Sequence, residues 1–323
     1  MNLDLFFKQY FYKNIDKLNN YRIKIDTGFA CNANCWFCYY KSHLKDPFMD
    51  LKLIQNQIKK AKFMNFKKIE FSGGESSYHP DWFKMIEFGS KLDLKISTIS
   101  NGFMFSDFDF IKKSKDLGLE EILFSVHGFE DIHDKMLGVK GAWNKITKAL
   151  ENGSKLDLIL RINITVTPTN QNTIYKQVKF LLDNFNIHQF NFILFNNFSD
   201  AKKIKVNYKD MDFETLYKSL DLIETKINHK RAFNLRYFPF CQIDEKYHFA
   251  MYNYLQHWFD EYDWCPMFFY EKDFNIKNIS NFKKQNINYF IKKLINNRNI
   301  LYFYDKKCIQ CQYKGICDGW KKI

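Results

Sequence analysis

Cys31, Cys35 and Cys38 fall in the run Cys31-Asn32-Ala33-Asn34-Cys35-Trp36-Phe37-Cys38, a CxxxCxxC spacing that lets three thiols face one centre. Buried thiols or a zinc knuckle would be the plain reading. Zinc usually draws its remaining ligands from a recognisable partner pair, and no such pair lies nearby. An iron–sulfur cubane takes one cysteine per iron. Three thiolates would therefore leave one iron open to another ligand. A second group, Cys308, Cys311 and Cys317, has a CxxCxxxxxC spacing near the other end of the chain. No cysteine lies between Cys38 and Cys241, and Cys241 and Cys265 precede the second group. An all-thiolate tetrahedral site suits either zinc or iron–sulfur.

The elements that must carry these residues alternate. Strand-like runs cover 21–27, 67–71, 94–98, 121–126, 158–167 and 189–195, with helix-like runs at 51–65, 81–92, 109–117, 142–154, 174–184 and 213–228. Six βα units imply a parallel sheet, because parallel neighbours need a crossover. Right-handed crossovers curl such a sheet into a partial barrel. The expected fold is α/β: a partial (β/α)6 barrel with a small irregular cysteine-containing C-terminal module. The first cysteines follow the first strand, at the strand ends where barrel active sites gather. After 228 the alternation stops. The expected division is an extension over 1–20, a core barrel over 21–228 and a cysteine module over 229–323.

The bulk properties narrow the classes. The 323 residues contain no apolar run long enough to span a membrane. The start, Met1 to Lys8, lacks the pattern of a signal peptide. Eight cysteines without an export signal read as metal ligands rather than disulfides, which points to the reducing cytoplasm. The net charge of +13 invites a nucleic-acid reading, but only five of the 49 basic residues are arginine. Base readout favours the arginine fork. The abundance of Lys, Asn, Ile, Phe and Tyr reads instead as codon bias of an AT-rich genome.

The strand at 67–71 runs into Ser72-Gly73-Gly74-Glu75. CxxxCxxC after the first strand and Gly-Gly-Glu after the second resemble the radical S-adenosylmethionine superfamily. Phe37, an aromatic just before the third cysteine, fits the same habit. The resemblance implies a six-strand, three-quarter barrel and a [4Fe–4S] cluster on Cys31, Cys35 and Cys38. It also implies that S-adenosylmethionine chelates the open iron and is reductively cleaved to a 5′-deoxyadenosyl radical, which abstracts hydrogen from substrate. Gly73 and Gly74 would let backbone approach the ligand, and Glu75 or its backbone would accept from the methionine ammonium. Asn101, in Ser100-Asn101-Gly102, matches a polar turn of the family. Ser125 resembles a position near the ribose or methionine end of the cofactor. Arg161 and Asn163 share one face of the fifth strand, where an arginine could hold the methionine carboxylate. His127 is a candidate for substrate binding, although a lone histidine is more often structural.

The second cysteine group resembles the extensions called SPASM and twitch domains, which hold auxiliary iron–sulfur clusters. Five cysteines beyond the barrel allow one further cluster, on Cys308, Cys311, Cys317 and a fourth ligand from Cys241 or Cys265. Cys265, in an irregular stretch before Pro266, is the expected ligand. Cys241 would then be a free thiol near the barrel mouth, able to return a hydrogen atom if the reaction were an epimerisation. The expected partners are a small metabolite or peptide substrate and an electron donor such as flavodoxin or ferredoxin. About twenty residues precede the first strand, too few for a leader-binding domain. The alternatives are a radical-type RNA modifier and a non-catalytic iron–sulfur or zinc protein.

Overall fold

The computed structural model describes residues 22–63, 66–195, 206, 211–228, 232–252, 299, 302–314 and 317–321. The chain runs β1 (Arg22–Asp26), α1 (Leu51–Phe63), β2 (Lys68–Ser72), α2 (Trp82–Ser90), β3 (Lys95–Ser100), α3 (Phe108–Asp116) and β4 (Leu119–Ser125). It continues through α4 (Asp131–Leu137), α5 (Ala142–Lys155), β5 (Ile159–Val166), α6 (Ile174–Asn184), β6 (Ile187–Leu194), α7 (Glu214–Lys226), β7 (Phe233–Arg236) and β8 (Met251–Tyr252). These eight strands form one sheet in chain order, every neighbouring pair parallel. The result is a half-barrel with helices outside. A separate antiparallel pair, β9 (Tyr302–Phe303) and β10 (Trp320–Lys321), lies in the C-terminal cysteine segment.

All six expected strands are present, and the sheet goes on past residue 228. Residues Phe233–Arg236, inside the expected cysteine module, supply β7, which pairs with β6. Helix α4 was not expected. Its seven residues are too short to show a helical period, but the Asp134 carboxylate accepts from Gly141 N (2.6 Å) and Trp143 N (2.8 Å) at the start of α5. No helix among the described residues is long and apolar enough to cross a membrane.

Alternation along each strand builds two different faces. Ile69 and Phe71 on β2, Ile122 and Phe124 on β4, Ile162 and Ile164 on β5, and Phe190 and Phe192 on β6 are fully buried in the apolar core. Fully burying such a side chain contributes about 1.5–3 kcal/mol. The alternate residues form the other face, which is largely polar. Arg22 donates to Glu70 (2.9 Å) and, through both terminal nitrogens, to Glu121 (2.6 and 2.9 Å). Arg161 donates to Glu121 (2.7 Å) and to Gln189 (2.7 Å). Two cations and two anions thus balance in a buried cluster across β1, β2, β4 and β5. Burial alone would raise the Glu121 carboxyl, but Arg161 and Arg22 hold it at about 2. Burial works against the Arg22 charge, and Glu70 and Glu121 more than restore it.

Candidate functional site

The cysteine loop begins where β1 ends, and its shape is imposed by β2. Thr27 N donates to Ser72 O (2.8 Å), Gly74 N to Gly28 O (2.9 Å) and Glu75 N to Ala30 O (2.9 Å). These bonds carry the β1–β2 contact beyond both strands. A Cβ on Gly73, whose φ is +124°, would overlap Gly28 O, and one on Gly74 would overlap Phe29 O and Ala30 O. The close approach that the glycine pair makes is therefore to the cysteine loop. On the other side α4 straps the loop: Asn34 N donates to Leu137 O (2.9 Å), and the Trp36 indole N–H reaches the Met136 sulfur (3.3 Å). Lys41, exposed, seats its ammonium on Asn34 O (2.8 Å) and Cys35 O (3.2 Å).

Within the loop the sulfurs already receive donors. Ala33 N points at Cys31 Sγ and Tyr40 N at Cys38 Sγ, each at 3.4 Å. The Asn101 amide stands 3.9 Å from Cys31 Sγ while bonding Asn32 Oδ1 (2.7 Å). Burial, then the Glu75 charge, pushes the Cys31 thiol up to about 12. Burial also raises Cys35, and its neighbours Cys31 and Cys38 raise it further. Three mutually repelling, N–H-supported thiols suit a strongly charged acceptor of thiolates. No group of three or more His, Cys, Asp or Glu among the described residues is gathered as a single-ion site. A cubane does not need one, since it takes each cysteine at a separate iron. The donor set fits a three-cysteine [4Fe–4S] cluster.

Glu75 is almost fully buried, and its carboxylate is filled from within the protein. It accepts from Ser77 N (3.3 Å), Ser77 Oγ (2.5 Å), Ser100 Oγ (2.9 Å) and Asn101 N (2.7 Å). Burial raises it, and these donors oppose the rise. The glutamate thus staples the turn after β2 to the turn after β3. Asn101 is placed by that staple, and Phe37 is buried against the core. Ser125 and Asn163 are register partners on β4 and β5. Asn163 Oδ1 is a buried oxygen with no hydrogen-bond partner among the described residues.

The structure gives two further candidates partners of their own. Arg161 stands two residues below Asn163 and is committed to Glu121 and Gln189, so the structure does not bring its guanidinium to the cysteine loop. The Glu121 carboxylate, closer to hand than any ligand at the strand ends, decides its place. His127 carries no charge: burial lowers its imidazole to about 3. It touches Phe37 edge-on at 4.9 Å.

The second group assembles at the exit of β7. Burial raises the Cys241 thiol, and the nearby Cys308 and Cys311 raise it further. Burial likewise lifts Cys317 to about 11, with N–H donors from Phe240 and Gly319 acting against it and Cys241 adding to it. The four thiols are thus electrostatic neighbours. Phe240 stacks on Tyr313 at 4.9 Å, His248 meets Tyr313 edge-on at 4.9 Å, and the Tyr313 hydroxyl reaches Glu245 (3.1 Å). Tyr304 holds Lys314 O (2.7 Å) and Cys317 O (3.0 Å) through its hydroxyl. Cys265 lies outside the described residues.

A half-barrel with CxxxCxxC after β1 and Gly-Gly-Glu after β2 defines a class, and the comparisons with known proteins agree. Residues 25–181 match the Radical SAM superfamily, and over that stretch the chain carries a Radical SAM domain. It is 24% identical over 214 residues to a probable GTP 3′,8-cyclase of Sulfolobus acidocaldarius, covering 65% of this chain and 67% of the cyclase. It is 23% identical over 145 residues to the sporulation killing factor maturation protein SkfB of Bacillus subtilis, covering 44% of this chain and 34% of SkfB. Among solved structures, Streptococcus suis SuiB bound to S-adenosylmethionine shares the fold with a TM-score of 0.61 at 14% identity, over 97% of this chain and 77% of SuiB. SuiB bound to its precursor peptide SuiA gives 0.55 at 17% identity, and there the match spans 70% of this chain and 53% of the SuiB chain.

Proposed function

We propose that this chain is a radical S-adenosylmethionine enzyme acting on a small metabolite or a peptide in the cytoplasm, reduced by a flavodoxin- or ferredoxin-type donor. The observation that carries the reading is the cysteine loop, held between the Gly73-Gly74 turn and α4 with N–H groups aimed at its sulfurs. When bound, the cluster and S-adenosylmethionine would supply the 5′-deoxyadenosyl radical that abstracts hydrogen from substrate. Cys31, Cys35 and Cys38 would hold the cluster. The backbone at Gly74 and Glu75 would lie beside the methionine end, and Ser125 and the unpartnered Asn163 oxygen would face the lumen contents. For the second group we propose an auxiliary [4Fe–4S] cluster on Cys241, Cys308, Cys311 and Cys317. Cys241 takes this role in the proposal because it neighbours the other three, while Cys265 lies outside the described residues, and a ligating Cys241 would not serve as a hydrogen donor.

SuiB binds a precursor peptide and SkfB is a maturation protein, which supports the peptide arm, while the cyclase supports the small-molecule arm. The test is anaerobic reconstitution followed by dithionite reduction. The expected product is 5′-deoxyadenosine, formed slowly without substrate and absent in Cys35→Ala. Protein with a full cluster that makes none under several reductants sinks the proposal.

A further inference from the structure

Lys41 is an exposed lysine that turns its ammonium back onto the cysteine loop. Its Nζ donates to Asn34 O (2.8 Å), to Cys35 O (3.2 Å) and to Asn34 Oδ1. A lysine ammonium has three donors and no acceptor, so these oxygens take all three. Exposed lysines on the helices behave differently: Lys112 pairs with Asp116 on α3, Lys135 with Asp131 on α4 and Lys179 with Asp183 on α6. His43, the next basic residue of the loop, meets Asp46 (2.7 Å). No carboxylate among the described residues pairs with Lys41, whose partners are neutral oxygens. Its charge is therefore held in place without being cancelled. Cys35 O also accepts from Cys38 N (3.3 Å), so the ammonium sits on the turn that joins the second cysteine to the third. The charge is felt at the sulfur. Burial is the main cause of the raised Cys35 thiol, Cys31 and Cys38 add to it, and the Lys41 charge acts against them.

We infer that Lys41 is a positioning residue whose uncancelled charge sets how readily a cluster on this loop accepts its electron. The inference rests on the function proposed above and concerns its reduction step. One electron passes from the flavodoxin- or ferredoxin-type donor, which is oxidised, to the cluster, which is reduced, and no bond or proton moves. The reduced form carries one more negative charge. A fixed cation beside Cys35 favours that form and so raises the potential, which depends on local charge and solvent exposure. Glu75 works in the other direction at Cys31, where its charge comes second to burial in raising the thiol. The two charges differ in what can reach them. Glu75 is buried and Lys41 is exposed. Salt screens an exposed charge far more than a buried one, so the salt-sensitive part of the potential belongs to Lys41.

The test is the midpoint potential of the first cluster, read by anaerobic redox titration of the reconstituted protein with electron paramagnetic resonance. Its signal is recognised by its change when S-adenosylmethionine is added. At low salt Lys41→Met should make reduction about fivefold less favourable, the scale of one solvent-exposed charge acting at contact distance. That is about 40 mV, at about 59 mV per tenfold for one electron. Lys41→Arg keeps the charge and should stay at the wild-type value. Raising the ionic strength from about 0.01 M to about 1 M shortens the screening length from about 30 Å to about 3 Å. The gap between wild type and Lys41→Met should then close, which the loss of a purely structural latch would not produce. Should Lys41→Met hold no iron at the first site, Lys41→Gln, an uncharged donor to the same carbonyls, takes its place in the comparison. Equal potentials for wild type and the uncharged variant at low salt, a gap that salt leaves unchanged, or loss of iron from both uncharged variants overturns the inference. In each case wild type still cleaves S-adenosylmethionine, and the proposed function stands. Wild type with a full iron load and no signal that answers to S-adenosylmethionine overturns both.

Discussion

The loop of Cys31, Cys35 and Cys38 is tied by main-chain hydrogen bonds to the end of β2 and to α4. The segment of Cys308, Cys311 and Cys317 instead meets the barrel mostly through stacked rings, Phe240 on Tyr313 with His248 at the edge, together with one tyrosine hydroxyl and the Phe240 N–H on Cys317. Both regions gather thiols whose proximity and burial favour the protonated form. They differ in what supplies the shape. Hydrogen bonds between backbones fix position and direction together, and an unmade one is costly when buried. Ring contacts add only about 0.5–1.5 kcal/mol beyond their buried area and allow sliding. The first site is shaped by main-chain bonds, whereas the second rests largely on ring packing.

The largest expected effect comes from breaking the backbone tie. Gly74→Val places side-chain atoms where Phe29 O and Ala30 O lie. Iron at the first site and 5′-deoxyadenosine formation should both vanish, with iron at the second site retained. A Gly74→Val protein with wild-type iron and activity would mean that the loop is not shaped by this contact. A smaller loss should follow Cys241→Ala. If two cubanes are present, iron should fall from about eight to about four per chain, while slow cleavage of S-adenosylmethionine continues. Should Cys265→Ala empty the second site and Cys241→Ala leave it filled, the thiol neighbourhood described for Cys241 is not the ligand set.

The smallest effect on either site should come from Glu121→Gln, below the cysteine loop. Removing one partner of a buried ion cluster costs about 3–5 kcal/mol, read by urea unfolding at pH 7. The sign of its pH dependence is fixed by direction. Glu121 is held below the ordinary carboxyl value of about 4.3, so its contribution is complete above that value. It is lost as pH falls toward about 2. Wild type should therefore lose more stability between pH 5 and pH 2.5 than Glu121→Gln does. Parallel curves for the two proteins would show that the cluster is not the acid-sensitive element.

The sequence was most informative where chemistry is local. CxxxCxxC, Gly-Gly-Glu and the six βα alternations are patterns of near neighbours, and the structure places the two motifs on successive parallel strands. Where the partners are distant, residue type was not enough. Alternation named the inward face for Arg161 but not its depth, because Glu121, 40 residues away, decides where the guanidinium goes. Cys265 was the expected fourth ligand because of its irregular stretch before Pro266, and no local pattern showed that the packing of Phe240 on Tyr313 brings Cys241 beside Cys308. His127 read as a lone histidine because its partners, His133, which accepts from its N–H, and Thr165 and Asn170, which donate to it, lie outside its own strand. α4 left no periodic trace, though its neighbour Gly138, left-handed at φ +65°, marks its end.

The contact between the glycine pair and the carbonyls of residues 28–30 also bears on how portable this site is. Its partners are main-chain atoms, so Phe29 and Ala30 can change identity without disturbing it, while neither glycine can accept a side chain. On this side the loop is held by main-chain contacts rather than by its own side chains. An engineer wishing to transplant the three cysteines into another barrel would therefore have to move a two-strand cassette, β1 with its loop and β2 with its turn, in the same parallel register.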